Sequence, residues 1–213
     1  ALVKKIDIED AKAYPGVVAV LTAKDIPGTI KVGHLKKDWD TLIPEGEITR
    51  YLGDAIVLVA AETKEALEEA KKLVKIDYEE LTPITCPEEA LKEDAPKIHE
   101  TGNVLVNEHL VRGNADEKIK NSKYVVTRKY STPFTEHAFL EPECAVAGPH
   151  GEDGIIIYSS DQGVFATQHE CADMLGLPHE KVRVINKMVG GGFGGKEDMS
   201  VQHHAALLAY HTK

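Results

Sequence analysis

The run Gly190-Gly191-Gly192-Phe193-Gly194-Gly195-Lys196-Glu197 gathers five of the chain's 17 glycines into one stretch. Glycine has no Cβ, so such a run bares main-chain N–H groups and lets another group approach the backbone closely. Two phosphate-binding patterns fit the spacing. As G-x-x-x-x-G-K the run is a Walker A loop ending at Lys196, and as G-x-G-x-x-G it is a dinucleotide fingerprint on Gly190, Gly192 and Gly195. Each is weakened by its neighbours. A Walker A loop needs Ser or Thr after the lysine to hold Mg²⁺, whereas Glu197 would repel a triphosphate. The dinucleotide pattern needs an acidic residue about 20 positions further on, which these residues do not reach. A plain tight turn, in turn, needs only one or two glycines.

Two other clusters carry chemical side chains. Thr135-Glu136-His137-Ala138-Phe139-Leu140-Glu141-Pro142-Glu143 places three carboxylates and an imidazole close together, a set suited to metal binding or acid/base work. In a strand, however, Glu141 and Glu143 share one face, and a single histidine is more often a hydrogen-bonded structural residue. His203-His204, with His211, is similarly ambiguous. Adjacent positions on a helix point in different directions, which favours packing or solvated roles. Cys86, Cys144 and Cys171 are an odd number at wide spacing without C-x-x-C. That pattern argues against a disulfide framework, a structural zinc site or an iron–sulfur cluster, and it suits a reducing, cytoplasmic setting.

The elements around these residues follow from pattern. Val17–Leu21 reads as a short buried strand after the Pro15-Gly16 turn, and Pro27-Gly28 closes that segment. Ala55–Ala60 reads as a strand leading into a helix with Thr63 as N-cap, its acidic residues early and Lys71, Lys72 and Lys75 late. Val74–Tyr78 reads as a returning strand. Residues 91–123 are turn or linker chemistry. Beyond them come a strand-like Tyr124–Tyr130, the run Phe139–Ala147, a strand near Gly154–Ser160, a helix over Gly163–Leu175, a strand Val182–Ile185 and a helix Met199–Tyr210.

With 213 residues, 35 acidic and 25 basic side chains and a net charge of −10, the composition is that of a globular protein of one or two domains. No basic block stands out, which disfavours nucleic acid or an anionic membrane as partner. No apolar stretch approaches the roughly 18 residues of a membrane span. The first residue is not Met, and the chain reads as beginning in mid-strand.

Taken in order, five segments resemble the molybdenum-binding subunit of the xanthine dehydrogenase/aldehyde oxidase family. They are Pro15–Gly28, Leu52–Ala60, Glu136–Glu143, Ser159-Ser160-Asp161-Gln162-Gly163, and Leu175-Gly176-Leu177-Pro178 with Val182–Ile185 and the glycine run. The resemblance spans essentially the whole chain. It implies an α+β fold: a small α/β hammerhead domain over residues 1–105, N-terminally truncated, a linker at 106–123, and the N-terminal part of a mixed α/β molybdopterin-binding domain at 124–213.

It also implies a hydroxylase that inserts water-derived oxygen into a C–H bond at a molybdenum–molybdopterin centre. Iron–sulfur clusters and FAD would lie on other domains or subunits of an oligomeric enzyme. By the same resemblance, Gln162 hydrogen-bonds an oxygen ligand of molybdenum, Phe193 and Gly194 press backbone against the metal ligands and pterin, and Glu197 faces the substrate. A glutamate there points to a purine-type substrate; otherwise Glu197 would merely favour a helix N-terminus. The general-base glutamate is expected beyond Lys213, so the 213 residues alone are expected to be inactive. Two alternatives stand beside this reading: a non-catalytic subunit-assembly module, and a nucleotide-binding protein using the Gly190–Lys196 loop.

Overall fold

The computed structural model describes residues 1–213. It contains both helices and short sheets, the α+β class expected from the sequence. The chain divides into two compact units, one made of Ala1–Leu81 with His137–Lys213, the other of Thr82–Glu136.

In the first unit β1 (Leu2–Asp7) leads into the short helix α1 (Glu9–Lys12), then β2 (Val17–Leu21), β3 (Lys31–Val32) and β4 (Trp39–Asp40). Next come β5 (Leu58–Ala61), helix α2 (Lys64–Leu73) and β6 (Lys75–Glu79). Antiparallel pairs form between β1 and β6, β2 and β5, and β3 and β4. The expected strand–helix–strand unit is present. The Thr63 hydroxyl accepts the Ala66 N–H at 3.1 Å, satisfying one of the free donors of the first turn of α2. Ala66 and Ala70 are buried on the inward face of that helix.

The second unit contains helix α3 (Pro87–Ala90), opened by Pro87, and helix α4 (Ala115–Lys120), capped by Asn114. Asn103 organises the turn before α4: its Nδ2 donates to Ala90 O at 3.0 Å and Pro96 O at 2.9 Å, and its Oδ1 accepts from Ile98 N at 2.7 Å. Residues 124–130, strand-like in pattern, form no strand, because no second strand pairs with them. Alternation supplies a face, but only a neighbouring backbone completes a ladder. Helix α4 lies in the stretch read as linker.

From His137 onward the first unit resumes with β7 (Ala145–His150), β8 (Gly154–Ser159), helix α5 (Val164–Leu175), β9 (Val182–Asn186) and helix α6 (Gln202–Thr212). Strand β8 is central, antiparallel to β7 and parallel to β9, with α5 as the crossover that a parallel pair requires. Ile155 and Ile157 on β8 are buried together with Cys171, Met174 and Leu175 of α5 and Ala206 and Leu207 of α6. Leu21, Ile26, Val32 and Leu42 belong to the same core. The early and late segments of this unit therefore share one apolar interior.

Backbone joins them as well. Gly28 N donates to Met174 O at 2.8 Å, filling a carbonyl that the C-terminus of α5 would otherwise leave unpaired, and Thr29 N donates to Asp173 O at 2.9 Å, a carbonyl that also accepts the Gly176 N–H at 3.3 Å. A side chain at Gly28 would collide with the Met174 carbonyl at 2.8 Å, which is why this approach needs glycine.

Candidate functional site

Gln162 sits between β8 and α5, and its neighbours fix it. Asp161 is buried; its Oδ1 accepts from Gly163 N at 2.5 Å and its Oδ2 from Thr167 Oγ1 at 2.7 Å. Asn186, at the end of β9, accepts the Asp161 N–H at 3.0 Å and donates to its carbonyl at 2.9 Å. The segment is thus bonded on both sides before Gln162 begins.

The Gln162 amide has only one orientation that suits its surroundings. Lys196 N is a donor and lies 3.2 Å from Oε1, so the oxygen must face the glycine loop. Gln162 N completes the pair by donating to Lys196 O at 2.9 Å. The side-chain Nε2 is left with two N–H donors and no hydrogen-bond partner in the chain. An exposed, neutral donor held in a fixed direction is suited to an oxygen-rich group outside the protein.

The glycine loop runs from β9 to α6 without becoming helix. Four of its glycines are bare because the chain packs against itself. A Cβ at Gly190 would lie 2.5 Å from Glu141 Cβ, one at Gly191 would lie 3.2 Å from Phe139 Cβ, and one at Gly195 would lie 2.9 Å from His137 Nδ1. At Gly192 it would overlap the Gln162 amide. Only Gly194 faces open space, with a left-handed φ of +87°. The run therefore serves internal closeness at four positions and external access at one, a narrower role than glycine content alone suggests.

Phe193 adopts φ +52°, a conformation that a bulky residue rarely holds. Its side chain is 75% exposed. Apart from Lys213, the other non-glycine residue with positive φ is Ala138, in the segment that packs on this loop. Glu197 N donates to Gly194 O at 3.3 Å, closing the turn, and the Glu197 residue is exposed. Gln162, Phe193, Gly194 and Glu197 thus belong to one local assembly. Glu197 does not lie at a helix N-terminus, since α6 begins at Gln202, whose Oε1 accepts from Ser200 N and Val201 N at 3.1 Å. The expected helix start at Met199 is corrected by this side-chain bond.

Lys196 departs most from expectation. Its side chain is 0% exposed, ion-paired with Glu141, hydrogen-bonded to Glu141 O at 2.7 Å and 4.4 Å from the Phe139 ring centre. Such a lysine has no amine to offer a phosphate, which removes the main support for a Walker A reading. Glu141 is not in a strand beside Glu143; it turns toward Lys196 and also accepts from Gly190 N at 3.1 Å. The Lys196 ammonium, then the adjacent buried Ser160 hydroxyl and the Gly190 N–H, hold the Glu141 carboxyl down at about 2. Ser160 lies close without a hydrogen bond of good geometry.

No three His, Cys, Asp or Glu side chains come together as metal ligands. His203 and His204 do not diverge as helical spacing suggests: their rings stand 3.9 Å apart. His204 Nε2 bonds Thr41 O at 2.9 Å and His211 Nε2 bonds Asp25 O at 2.7 Å, so both tie α6 to the N-terminal segment. The three cysteines are unpaired. No helix is long and apolar enough to cross a membrane.

Asp161 and Asn186, which orient Gln162, are not singled out by the sequence. An acidic residue followed two positions later by glycine before a helix is a local turn signal that marks Asp161; Asn186, 25 residues away, carries none.

The same overall fold occurs in known proteins. The family model described as the aldehyde oxidase and xanthine dehydrogenase a/b hammerhead domain matches residues 1–82. The one described as the molybdopterin cofactor-binding domain matches residues 98–213. The nicotinate dehydrogenase large molybdopterin subunit of Eubacterium barkeri is 42% identical over 213 residues, covering 100% of this chain and 50% of that protein. The xanthine dehydrogenase molybdenum-binding subunit of Escherichia coli O157:H7 is 36% identical over 211 residues, covering 95% of this chain and 28% of that protein. The chain thus spans half or less of these relatives. In structure it is similar to aldehyde oxidoreductase from Desulfovibrio gigas, with TM-score 0.91, 27% identity, and coverage of 100% of this chain and 24% of that one. On the strength of both domain matches, the chain belongs to the xanthine dehydrogenase/aldehyde oxidase family.

Proposed function

We propose that this chain forms part of the molybdenum subunit of a hydroxylase that oxidises a purine-type heterocycle with water-derived oxygen. The observation that carries this reading is the Gln162 amide: its oxygen is engaged by Lys196 N, while the exposed residue keeps its Nε2 donors available for a group outside the chain. Molybdenum–molybdopterin would fit these residues, because Nε2 can donate to an oxygen-rich group and the bare backbone at Gly194 faces open space.

When bound, that cofactor supplies the oxygen-insertion and electron-accepting chemistry. The protein contributes placement. Gln162 donates without titrating, Phe193 and Gly194 present backbone to the cofactor, and Glu197 orients substrate through ring nitrogens and an exocyclic oxygen. The general base belongs to a later part of the subunit, and iron–sulfur and flavin domains or subunits carry electrons onward in an oligomeric enzyme. Three unpaired cysteines suit a cytoplasmic setting. The proposed domain bounds are 1–105, 106–123 and 124–213.

A second substrate reading is favoured by the 42% identity with a nicotinate dehydrogenase subunit. Nicotinate is itself a carboxylate, and Glu197 facing it would repel. Purine, nicotinate and aldehyde turnover by the full-length enzyme separate the readings. Glu197→Ala should reduce kcat/KM for a purine by about 10-fold or more, the loss of a charge-assisted hydrogen bond, with little change for an aldehyde. Equal losses on both substrates would remove Glu197 from ring recognition.

A further inference from the structure

We propose that Lys196 and Glu141 are a positioning pair that sets the path of the Gly190–Glu197 loop, and through it the placement of Gln162, Phe193 and Gly194. The catalytic consequence rests on the proposed function, but the geometry of the pair stands apart from that reading.

Lys196 links three stretches of chain. Its main chain is bonded in both directions to Gln162, N–H to Oε1 and O from N. Its ammonium is spent on Glu141 and lies over Phe139. Glu141 then returns to the other end of the loop by accepting the Gly190 N–H at 3.1 Å. The loop is therefore fastened at both ends, Gly190 and Lys196, to a single carboxylate. Between these points Gly191 lies tightly against Phe139 at a left-handed φ of +111°, and a side chain at Gly192 would overlap the Gln162 amide.

An apolar pair need not cost stability here, because the Lys196 ammonium is stripped of water completely and the Glu141 carboxylate, 35% exposed, only in part. What apolar side chains lack is direction. An ammonium that finds its acceptors on one residue, and a carboxylate that bonds both ends of the loop, admit one arrangement. Lys196 touches neither substrate nor cofactor in this scheme; it acts through Gln162 and the loop backbone.

The test uses the full-length subunit assembled with its partners, in three forms: wild type, Glu141→Gln, and the double variant Lys196→Met/Glu141→Leu. Hydrogen exchange across residues 188–198 is the first readout. Both variants should exchange there about 10-fold faster or more, while β8 and α5 keep wild-type protection. In turnover, kcat should fall about 10-fold or more with KM within about 2-fold, as expected when placement rather than binding is lost.

The double variant separates positioning from stability. It removes both charges together, so the melting temperature should match or exceed that of Glu141→Gln while loop exchange and kcat stay impaired. Recovery of loop protection and kcat along with stability would overturn the proposal. So would wild-type exchange in Glu141→Gln, or unfolding of both variants, which would make the pair part of the core. A folded wild-type subunit that lacks molybdenum would instead overturn the functional reading, with loop exchange still deciding on the pair.

Discussion

Gly192 and Gln162 give the sharpest residue-level expectation, because the side chain missing from one is what makes room for the other. Gly192→Ala should displace the amide, break the bond from Lys196 N to Oε1 and free Nε2 to point elsewhere. Turnover should fall about 10- to 100-fold, the range for losing a hydrogen bond to a charged or strongly polar group, while the melting temperature changes little. Steady-state kinetics beside a thermal melt check this; unchanged kcat would mean that Gln162 does not depend on its neighbour. At this scale the sequence is informative about which residues gather, since Gln162, Phe193, Gly194 and Glu197 lie in recognisable motifs. It is silent on Lys196 with Glu141. Their partnership spans 55 positions, and a lysine after a glycine run looks the same whether it meets a phosphate or its own chain.

Helix α6 carries the main pH-sensitive group among the elements. Burial lowers the tendency of both His203 and His204 to protonate, His203 strongly, with the neighbouring ring adding to it. Both hold a proton less readily in the fold than in the unfolded chain, where a histidine titrates near 6.5. Protons therefore bind the unfolded state more readily, so the stability contributed by these rings is present above about pH 6.5 and is lost as pH falls below it. Urea midpoints should be lower at pH 5 than at pH 7.5, and His203→Leu should flatten the difference. A midpoint that rises toward pH 5 would contradict the buried, neutral assignment. Helix α2 offers a simpler check: Thr63→Ala should cost about 1 kcal/mol by removing the cap, measured by denaturant unfolding. Strands β2 and β9 and helices α2 and α5 are legible because each combines periodicity with a stop signal nearby. Residues 124–130 carry the periodicity of a strand without a partner for it, and the start of α6 depends on a Gln202 side-chain bond that no propensity records.

At the scale of the molecule, the first compact unit is built from two stretches of sequence that share one core. Met174 is fully buried in it beside residues from both stretches. Met174→Ala should therefore cost about 2–5 kcal/mol and lower the unfolding midpoint of 1–81 and 137–213 together, read by hydrogen exchange on peptides from each. Separate midpoints would show two independent cores. Sequence order does not reveal this union, because its links are backbone contacts such as Gly28 to Met174 and buried side chains far apart in the chain. The central claim is that the Gln162 and glycine-loop assembly holds a molybdenum cofactor. Elemental analysis of the purified full-length subunit tests it most directly: about one molybdenum per subunit is expected, falling sharply in Gly192→Ala if the cradle is disturbed, whereas a folded, pure wild-type subunit with none would contradict it.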